Sequence, residues 1–321
     1  MNVKEELLKT LAGGEFISGA ALAERLGVSR NAVWKAVKSL ENEGYIIESV
    51  TARGYRLASN SNRLSESLIL SHLADKSLCS SVKVYDEVDS TNTAAKKLAS
   101  AGAPDGTVVA ADSQTLGRGR LGRSFASPPG TGLYMSVIVR PELELPLCSM
   151  ITAAAAAAVA EAVEKLSGSQ VQIKWVNDIY MNGRKICGIL TEASLGLEMH
   201  SIDYAVIGIG VNVSGSFEGE LADIATSVEA ECGVRPDRNE LCAEIITGLR
   251  KYIPTISERG FLPEYRRREM LTGCEVTASA GRETFTGKAV GIDDDANLMI
   301  ELPGGTVKHI GSGEAKRVRK V

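Results

Sequence analysis

Histidine is almost missing from this chain: there are three in 321 residues, and His72, His200 and His309 stand far apart. The six cysteines, Cys79, Cys148, Cys187, Cys232, Cys242 and Cys274, are scattered, with no Cys-x-x-Cys pair. Zinc ligands come in clusters, so no metal site is expected and the cysteines read as reduced thiols. An excess of base is lacking too, since 36 Lys and Arg against 40 Asp and Glu leave a net charge of −4. That excludes a protein that coats nucleic acid over its whole surface and confines any nucleic-acid site to one local face. The longest uncharged stretch, around Cys148 to Ala160, is dominated by alanine and ends at Glu161 and Glu164. It reads as too short and too weakly apolar to span a bilayer. No basic flank followed by an apolar core opens the chain, so a cytoplasmic protein with no membrane partner is expected.

What is present is an ordinary globular composition, 44% apolar and 24% charged, over a length suited to two or three domains. The first region, 1–62, reads as three short helices and a hairpin. Val3, Leu7, Leu8 and Leu11 make one apolar stripe, and Ala20 to Leu26 a second helix ending at Gly27. Ser29 is placed to cap a third, Arg30 to Glu43, which stops at Gly44. Tyr45 to Val50 and Tyr55 to Leu57, joined by a turn at Thr51 to Gly54, predict a two-stranded wing. On the third helix Ala32, Val33, Ala36, Val37 and Leu40 share one face, with Asn31, Trp34, Lys35 and Lys38 toward the other. These are the parts of a winged helix-turn-helix, which would bring Asn31, Trp34, Lys35 and Lys38 to DNA, Arg30 to a phosphate and Arg53 to the wing contact. The plain alternative is a solvated lysine face beside a half-buried Trp34. Against it, Arg30 to Lys38 holds three bases and no acid.

Ser59-Asn-Ser-Asn62 is a polar linker, and beyond it strands and helices alternate. Strands are predicted at Val82–Val88, Thr107–Ala111, Leu133–Val139, Val171–Trp175, Lys185–Ala193 and Tyr204–Val213. Helices are predicted at Thr93–Ala101, Ile151–Leu166, Asn239–Ile256 and Pro263–Met270. The last strands follow one another without intervening helices, so the sheet of this central α/β domain, 63–270, should be mixed in direction. From Leu271 to the end, 271–321, short strands separated by turns predict a small SH3-like β-barrel. The whole is an α+β multidomain chain.

The stretch Gln114-Thr-Leu-Gly-Arg-Gly-Arg-Leu-Gly-Arg-Ser-Phe125 carries Gly117-x-Gly119-x-x-Gly122, the spacing of a dinucleotide fingerprint. Its context is wrong for one. The residues after Gly122, Arg-Ser-Phe-Ala-Ser-Pro-Pro-Gly, cannot open a helix, and no room is left for a crossover before the next strand. No Gly-Lys-Ser/Thr follows, which also rules out a Walker A loop. What remains is a cationic loop whose amides and arginines, Arg118, Arg120 and Arg123, can gather two anionic groups at once, such as a carboxylate and a nucleotide α-phosphate. Lys174-Trp-Val-Asn-Asp178 adds a cation, an amide and a carboxylate at a strand end, and Arg184-Lys185 follows a turn at Asn182-Gly183.

Gly117-Arg-Gly-Arg-Leu-Gly-Arg123, Lys174-Trp-Val-Asn-Asp-Ile-Tyr180, Arg184-Lys-Ile-Cys-Gly-Ile-Leu190 and Ile207-Gly-Ile-Gly-Val-Asn212 stand in an order and spacing that resemble the bifunctional biotin protein ligases. With the winged helix and the small barrel, the resemblance covers essentially the whole chain. It implies a ligase that adenylates biotin with MgATP and passes it to a lysine of a biotin carboxyl carrier domain. It also implies a repressor that binds operator DNA as a homodimer when liganded with biotinyl-AMP. Among the implied catalytic residues, Arg118 and Arg120 would neutralise carboxylate and phosphate, Lys185 would stabilise the α-phosphoryl oxygens, and Asp178 would accept the lysine proton. Ser90, Thr91, Asn92 and Gln114 match positions that hydrogen-bond the ureido group, although helix capping also accounts for Ser90 to Asn92. Gly119 joins Arg118, Arg120 and Lys185 on the biotin side, and Gly188, Gly208 and Gly210 are expected to form the wall under the rings, with β-bulges as the alternative. Arg120, Arg123, Phe125, Lys174, Asn177 and Asn212 are implied on the ATP side. The family commonly has tryptophan where Phe125 stands and proline where Val176 stands, which bears on ATP affinity. Closing of the Arg118 to Arg123 loop over the adenylate is expected to couple the site to dimer formation. Two rivals stay open on the residues alone: a non-catalytic repressor that senses biotin, and a ligase acting on lipoate.

Overall fold

Caps and glycines set the first helices. α1 (Val3–Leu11) starts where the Asn2 side chain accepts from the Lys4 N–H, and α2 (Gly19–Leu26) where Ser18 accepts from Ala21. Gly27, in the left-handed region, ends α2, and α3 (Arg30–Asn42) begins behind Ser29, whose hydroxyl accepts from the Ala32 N–H. The wing is β1 (Ile47–Val50) paired antiparallel with β2 (Gly54–Leu57). Gly54 has φ 102° and a backbone pressed against Ile17, and two hydrogen bonds between residues 17 and 55 fasten the wing to the helices. Leu7, Leu11, Leu22, Val33, Val37 and Leu40 close over Ile47 and Leu57 as one core. The structure, a computed structural model, describes residues 2–42, 44–58, 63–195, 202–280, 283–311 and 315–320. The expected linker Ser59 to Asn62, the helix end at Glu43 and the turn residue Gly281 lie outside them.

A helix that the apolar spacing does not reveal, α4 (Glu66–His72), comes next. Its adjacent side chains point into different cores: Leu68 packs with the winged helix and Ile69 with the central domain. The central elements are β3 (Ser81–Val88), α5 (Thr91–Ser100), β4 (Thr107–Gln114), β5 (Gly132–Val139), α6 (Ile151–Ser167), β6 (Gln172–Lys174), β7 (Asp178–Met181), β8 (Arg184–Leu195), β9 (Ile202–Asn212), α7 (Val228–Cys232), α8 (Arg238–Tyr252) and α9 (Leu262–Arg268). The seven strands lie in the order β3-β4-β5-β9-β8-β7-β6, with β3 and β4 parallel and every other pair antiparallel. The sheet is therefore mixed, as the run of strands without helices requires. Asp178 does not end a strand, as expected, but starts β7, which turns back on β6.

The alanine run has a packing reason. Ala153 to Ala158 are all buried, and Gly248 of α8 comes so near α6 that a Cβ there would stand 2.9 Å from the Ala158 methyl. The expectation that this stretch is too short for a bilayer needs correction. Leu147–Ser167 is 21 residues long and apolar enough to cross one, yet 67% of its apolar window is buried inside the fold, where it serves as the core helix.

The C-terminal elements β10 (Glu275–Ala280), β11 (Glu283–Ile292), β12 (Leu298–Glu301), β13 (Val307–Ile310) and β14 (Ala315–Lys320) form an antiparallel sheet in the order β13-β12-β11-β10-β14. Its inner residues Val276, Ala289, Leu298 and Ile300 continue the central core. The Trp175 indole N–H donates to the Ala296 carbonyl at 3.0 Å, tying the strand end before Asp178 to a turn of this small domain.

Candidate active site

The start of α5 and the ends of β4, β8 and β9 converge on one cavity. It is lined by the neutral side chains of Ser90, Thr91, Asn92 and Gln114, by Arg118, Gly119, Arg120, Phe125, Asn177 and Lys185, and by Gly188, Gly208 and Gly210. Of the expected site residues, Arg123, Lys174, Asn212 and Asp178 do not line it. Asp178 stands directly behind, 2.6 Å from the Lys185 ammonium. Arg123 is exposed, Lys174 lies 5.6 Å from the centre of the Tyr180 ring, and Asn212 is buried with its amide donating to the Thr226 carbonyl at 3.0 Å.

The polar end is a connected network. The Thr91 N–H donates to Gln114 Oε1 at 2.8 Å, so Thr91 and Gln114 fix each other. The Ser136 hydroxyl, fully buried on β5, lies 2.8 Å from Thr91 Oγ1 and 2.7 Å from Asn92 Oδ1. Asn92 in turn donates to Glu192 Oε2 at 2.8 Å and to the Leu190 carbonyl at 3.2 Å. Ser90 and Asn92 make no side-chain cap at the start of α5, so the capping alternative is not what holds them. Gln114 donates to Ser127, which donates to the Phe125 carbonyl, and the far end of the glycine loop is thereby anchored to the same network.

The loop itself is a tight turn. The Gly119 N–H donates to the Arg123 carbonyl at 2.7 Å, the Phe125 N–H to the Gly117 carbonyl at 2.9 Å, and Leu121 takes φ 58°. No helix opens on the last glycine, so this is no pyrophosphate cradle of the dinucleotide kind. Arg118 projects to Glu192, with Nη2 at 2.8 Å from Oε2. Arg120 lies 3.4 Å from Asn177 Oδ1, and burial pushes its guanidinium below its ordinary pKa, against the charge of Asp178 and together with that of Arg123.

The glycines of the floor make room for side chains. A Cβ on residue 210 would stand 2.5 Å from the Phe125 ring, and one on residue 188 would stand 3.1 Å from Lys185 Nζ. The Phe125 ring also meets Tyr134 edge to face, with centroids 6.4 Å apart. In this conformation the Phe125 ring lies against Gly210 in the cavity.

Lys185 is held from both sides. Its N–H donates to the Ile224 carbonyl and its own carbonyl accepts from Thr226, while the neighbouring Arg184 and the turn residue Asn182 both reach Glu231. Ser136, Glu192 and Ser127 are members of the site's network that the spacing of motifs does not reveal; Lys96, which does not line the cavity, reaches Glu192 Oε1 at 2.8 Å. For Glu192 there is a legible sign, since it is the lone acid in β8, two positions from Leu190 on the same face.

No group of three or more His, Cys, Asp or Glu is placed to hold a metal among the described residues. Mg2+ commonly keeps its waters and binds through substrate phosphates with one or two carboxylates. The carboxylate against Lys185, Asp178, fits that mode, in which the ion comes with a nucleotide.

In the winged helix Arg30, Asn31, Trp34, Lys35 and Lys38 of α3 are exposed, and so is Arg53 on the wing. Trp34 keeps 49% of its surface. Lys38 pairs with Glu41 at 2.6 Å, and the Arg53 and Arg56 guanidinium carbons lie 4.3 and 4.6 Å from the centre of the Phe16 ring.

Three family models match in register with these parts: a helix-turn-helix domain over residues 3–56, the biotin/lipoate A/B protein ligase family over 84–212, and the biotin protein ligase C-terminal domain over 273–316. The chain is 40% identical over 303 residues to the bifunctional ligase/repressor BirA of Bacillus subtilis, covering 92% of this chain and 93% of that protein. It is 32% identical over 304 residues to the bifunctional ligase/repressor BirA of Escherichia coli, covering 93% and 92%. Among solved structures it is similar to a biotin protein ligase from Aquifex aeolicus in complex with biotin and ATP, with 30% identity, a TM-score of 0.64, and coverage of 75% of this chain and 99% of that one.

Proposed function

The chain belongs to the biotin protein ligases, in their bifunctional ligase/repressor branch, and from that membership we propose how its residues divide the work. It is an ATP-dependent ligase that activates biotin and transfers it to a biotin carrier, and it represses transcription through its helix-turn-helix domain. The observation that carries the assignment of roles is that one cavity is lined by two kinds of group: the neutral hydrogen-bonding Ser90, Thr91, Asn92 and Gln114, and the cations Arg118, Arg120 and Lys185. A ureido group needs donors and acceptors, whereas a carboxylate brought up to a triphosphate needs cations.

In the first step a carboxylate oxygen of biotin forms a bond to the α-phosphorus of ATP, and the bond to pyrophosphate breaks. The carboxylate is already ionised at neutral pH, so the barrier is charge repulsion and not proton transfer. Arg118 neutralises the carboxylate, Arg120 the phosphates, and Lys185 the charge that grows on the α-phosphoryl oxygens. Removing one such donor is expected to slow adenylation about a hundredfold, roughly 3 kcal/mol. Asp178 orients Lys185 in the first step. In the second step an uncharged lysine amine attacks the acyl carbon, AMP leaves, and Asp178 takes up the released proton. Gln114, Ser90, Thr91 and Asn92 bind the ureido group, and Gly188, Gly208 and Gly210 bring backbone close to the rings. Asn177 and Phe125, which line the cavity, belong to the nucleotide side, where Phe125 leaves its seat on Gly210 as ligand enters.

A winged helix covers one half-site, so operator binding is assigned to a homodimer that assembles through the central sheet when biotinyl-AMP is bound. Such a protein works where its operator is, in the cytoplasm. Incubation with biotin, ATP and a carrier domain, followed by mass measurement of the carrier, tests the ligase. Biotin-dependent exchange of pyrophosphate into ATP separates it from a biotin sensor, which gives none. Competition between biotin and lipoate in the same exchange separates it from a lipoate ligase.

A further inference from the structure

Glu192 is surrounded by three donors from two parts of the chain, α5 and the glycine loop. Lys96 of α5 reaches Oε1 at 2.8 Å, Asn92 at the start of α5 reaches Oε2 at 2.8 Å, and Arg118 of the glycine loop spans both oxygens, at 2.8 Å to Oε2 and 3.4 Å to Oε1. Its side chain is 26% exposed. Burial would raise its pKa, but Lys96, Asn92 and Arg118 together hold it below the ordinary carboxylate range. Through Asn92, Ser136 and Thr91 the same carboxylate is joined to Gln114, so one hydrogen-bonded chain runs from Gln114 to Arg118 of the cationic loop.

We propose that Glu192 is the positioning residue for Arg118: a fixed anion, set by the ureido-binding network, that holds the loop arginine at the cavity before any ligand arrives. This rests on the assignment of Arg118 to the biotin carboxylate. An arginine has five N–H donors, and two of them occupy Glu192. The remaining donors can serve a second carboxylate on another edge, so the pair does not need to break when substrate binds. Without Glu192, an exposed arginine on a glycine-rich turn has to be ordered during the reaction, and the entropy of that ordering falls on the adenylation step. Lys96 acts in the opposite sense, because it competes with Arg118 for the same carboxylate.

The two variants Glu192→Gln and Lys96→Gln therefore move in opposite directions. In trypsin digestion of the ligand-free full chain, followed by fragment mass, Glu192→Gln is expected to be cut after Arg118, Arg120 and Arg123 several-fold faster than the unaltered protein. Lys96→Gln is expected to be cut no faster there. In pyrophosphate exchange at saturating biotin and ATP, Glu192→Gln should lose about tenfold in kcat, the size expected for one charge-assisted hydrogen bond. Glu192→Asp should recover part of it, and Lys96→Gln should keep the rate or exceed it. Thermal melting of each variant separates these effects from misfolding. Exchange by the unaltered protein with equal or faster exchange by Glu192→Gln overturns the positioning role and makes Glu192 a restraint that parks Arg118. Parallel losses in both variants reduce the cluster to scaffolding and also overturn it. Absence of exchange by the unaltered protein is the separate result that removes the ligase assignment itself.

Discussion

Asn92 and Gly208 fit as a side chain and the gap that admits it: a methyl on residue 208 would overlap the Asn92 carboxamide oxygen. Asn92 cannot swing aside, because its amide is bonded to the Leu190 carbonyl and Glu192, and its oxygen to the buried Ser136. Gly208→Ala is therefore expected to displace the ureido end of the network. Overpacking of this kind commonly costs about 1–3 kcal/mol, which corresponds to a rise of about tenfold or more in the KM for biotin, with the KM for ATP little changed. Initial rates of pyrophosphate exchange at varied biotin and varied ATP measure the split.

Gly210→Ala makes a contrasting case on the same strand. There the obstructed group is the Phe125 ring, which lies 2.5 Å from the site of the new methyl and has no hydrogen bond to lose. The ring is expected to move off the floor toward the open side, and the larger change should appear in the KM for ATP. Equal effects of Gly208→Ala and Gly210→Ala on biotin alone would show that the floor is purely a ligand surface and not a seat for these two side chains.

How much of this is legible in the sequence depends on distance along the chain. The helix α3 and its start follow from Ser29 and a local apolar face, and the structure has it from Arg30 to Asn42. The four-residue strand β7 follows β6 so closely that their pairing has no periodicity of its own to display, and sequence pattern alone puts Asp178 on the wrong strand. The helix α4 is too short for a stripe, and its two apolar faces serve two cores. The arginines of the glycine loop are recognisable as anion-binding, but the partner of Arg118 is 74 positions away, and only the pairing of β8 with β9, on which α5 packs, brings Glu192 there.

Leu68 leads to a prediction in which one substitution changes sign. In the full chain its side chain is buried in the winged-helix core, so Leu68→Ser should destabilise by about 2–5 kcal/mol, the usual range for emptying a leucine site. In a chain cut at residue 62 that core is gone and Leu68 faces water. There the same substitution should raise solubility and leave stability unchanged or higher. Urea unfolding of the four proteins checks it, and a loss of stability in both backgrounds would mean that α4 packs mainly on the central domain.

The exposed lysines of α3 are separable by salt. A lysine that neutralises one phosphate contributes about 0.9 to the slope of log K against log salt, and its removal takes that amount away. Lys35→Ala is expected to lower the slope accordingly. Lys38→Ala should do the same, since its pair with Glu41 is exposed on both sides and such pairs contribute little. Neither should alter biotin transfer to a carrier. Operator titrations at several salt concentrations give the slope, and an unchanged slope for both would leave the lysines as a solvated face.

The pH dependence of the Glu192 cluster has a fixed sign. Its folded pKa lies below the ordinary value, with burial opposing the shift and Lys96, Asn92 and Arg118 producing it. A carboxylate depressed in this way contributes stability that is fully present above the unfolded pKa, about 4.3 for glutamate, and is lost as pH falls through the folded one. The difference in unfolding free energy between the unaltered protein and Glu192→Gln should therefore be constant from neutral pH down to about 5 and shrink only below the ordinary carboxylate range. Histidine cannot produce that profile, because its titration lies about two units higher. Urea titrations of both proteins at a series of pH values measure the gap. A gap that closes between about pH 6 and 7, where histidine titrates, would assign the effect to another group, and one that is already zero at neutral pH would mean that Arg118 and Lys96 gain nothing from the charge of Glu192.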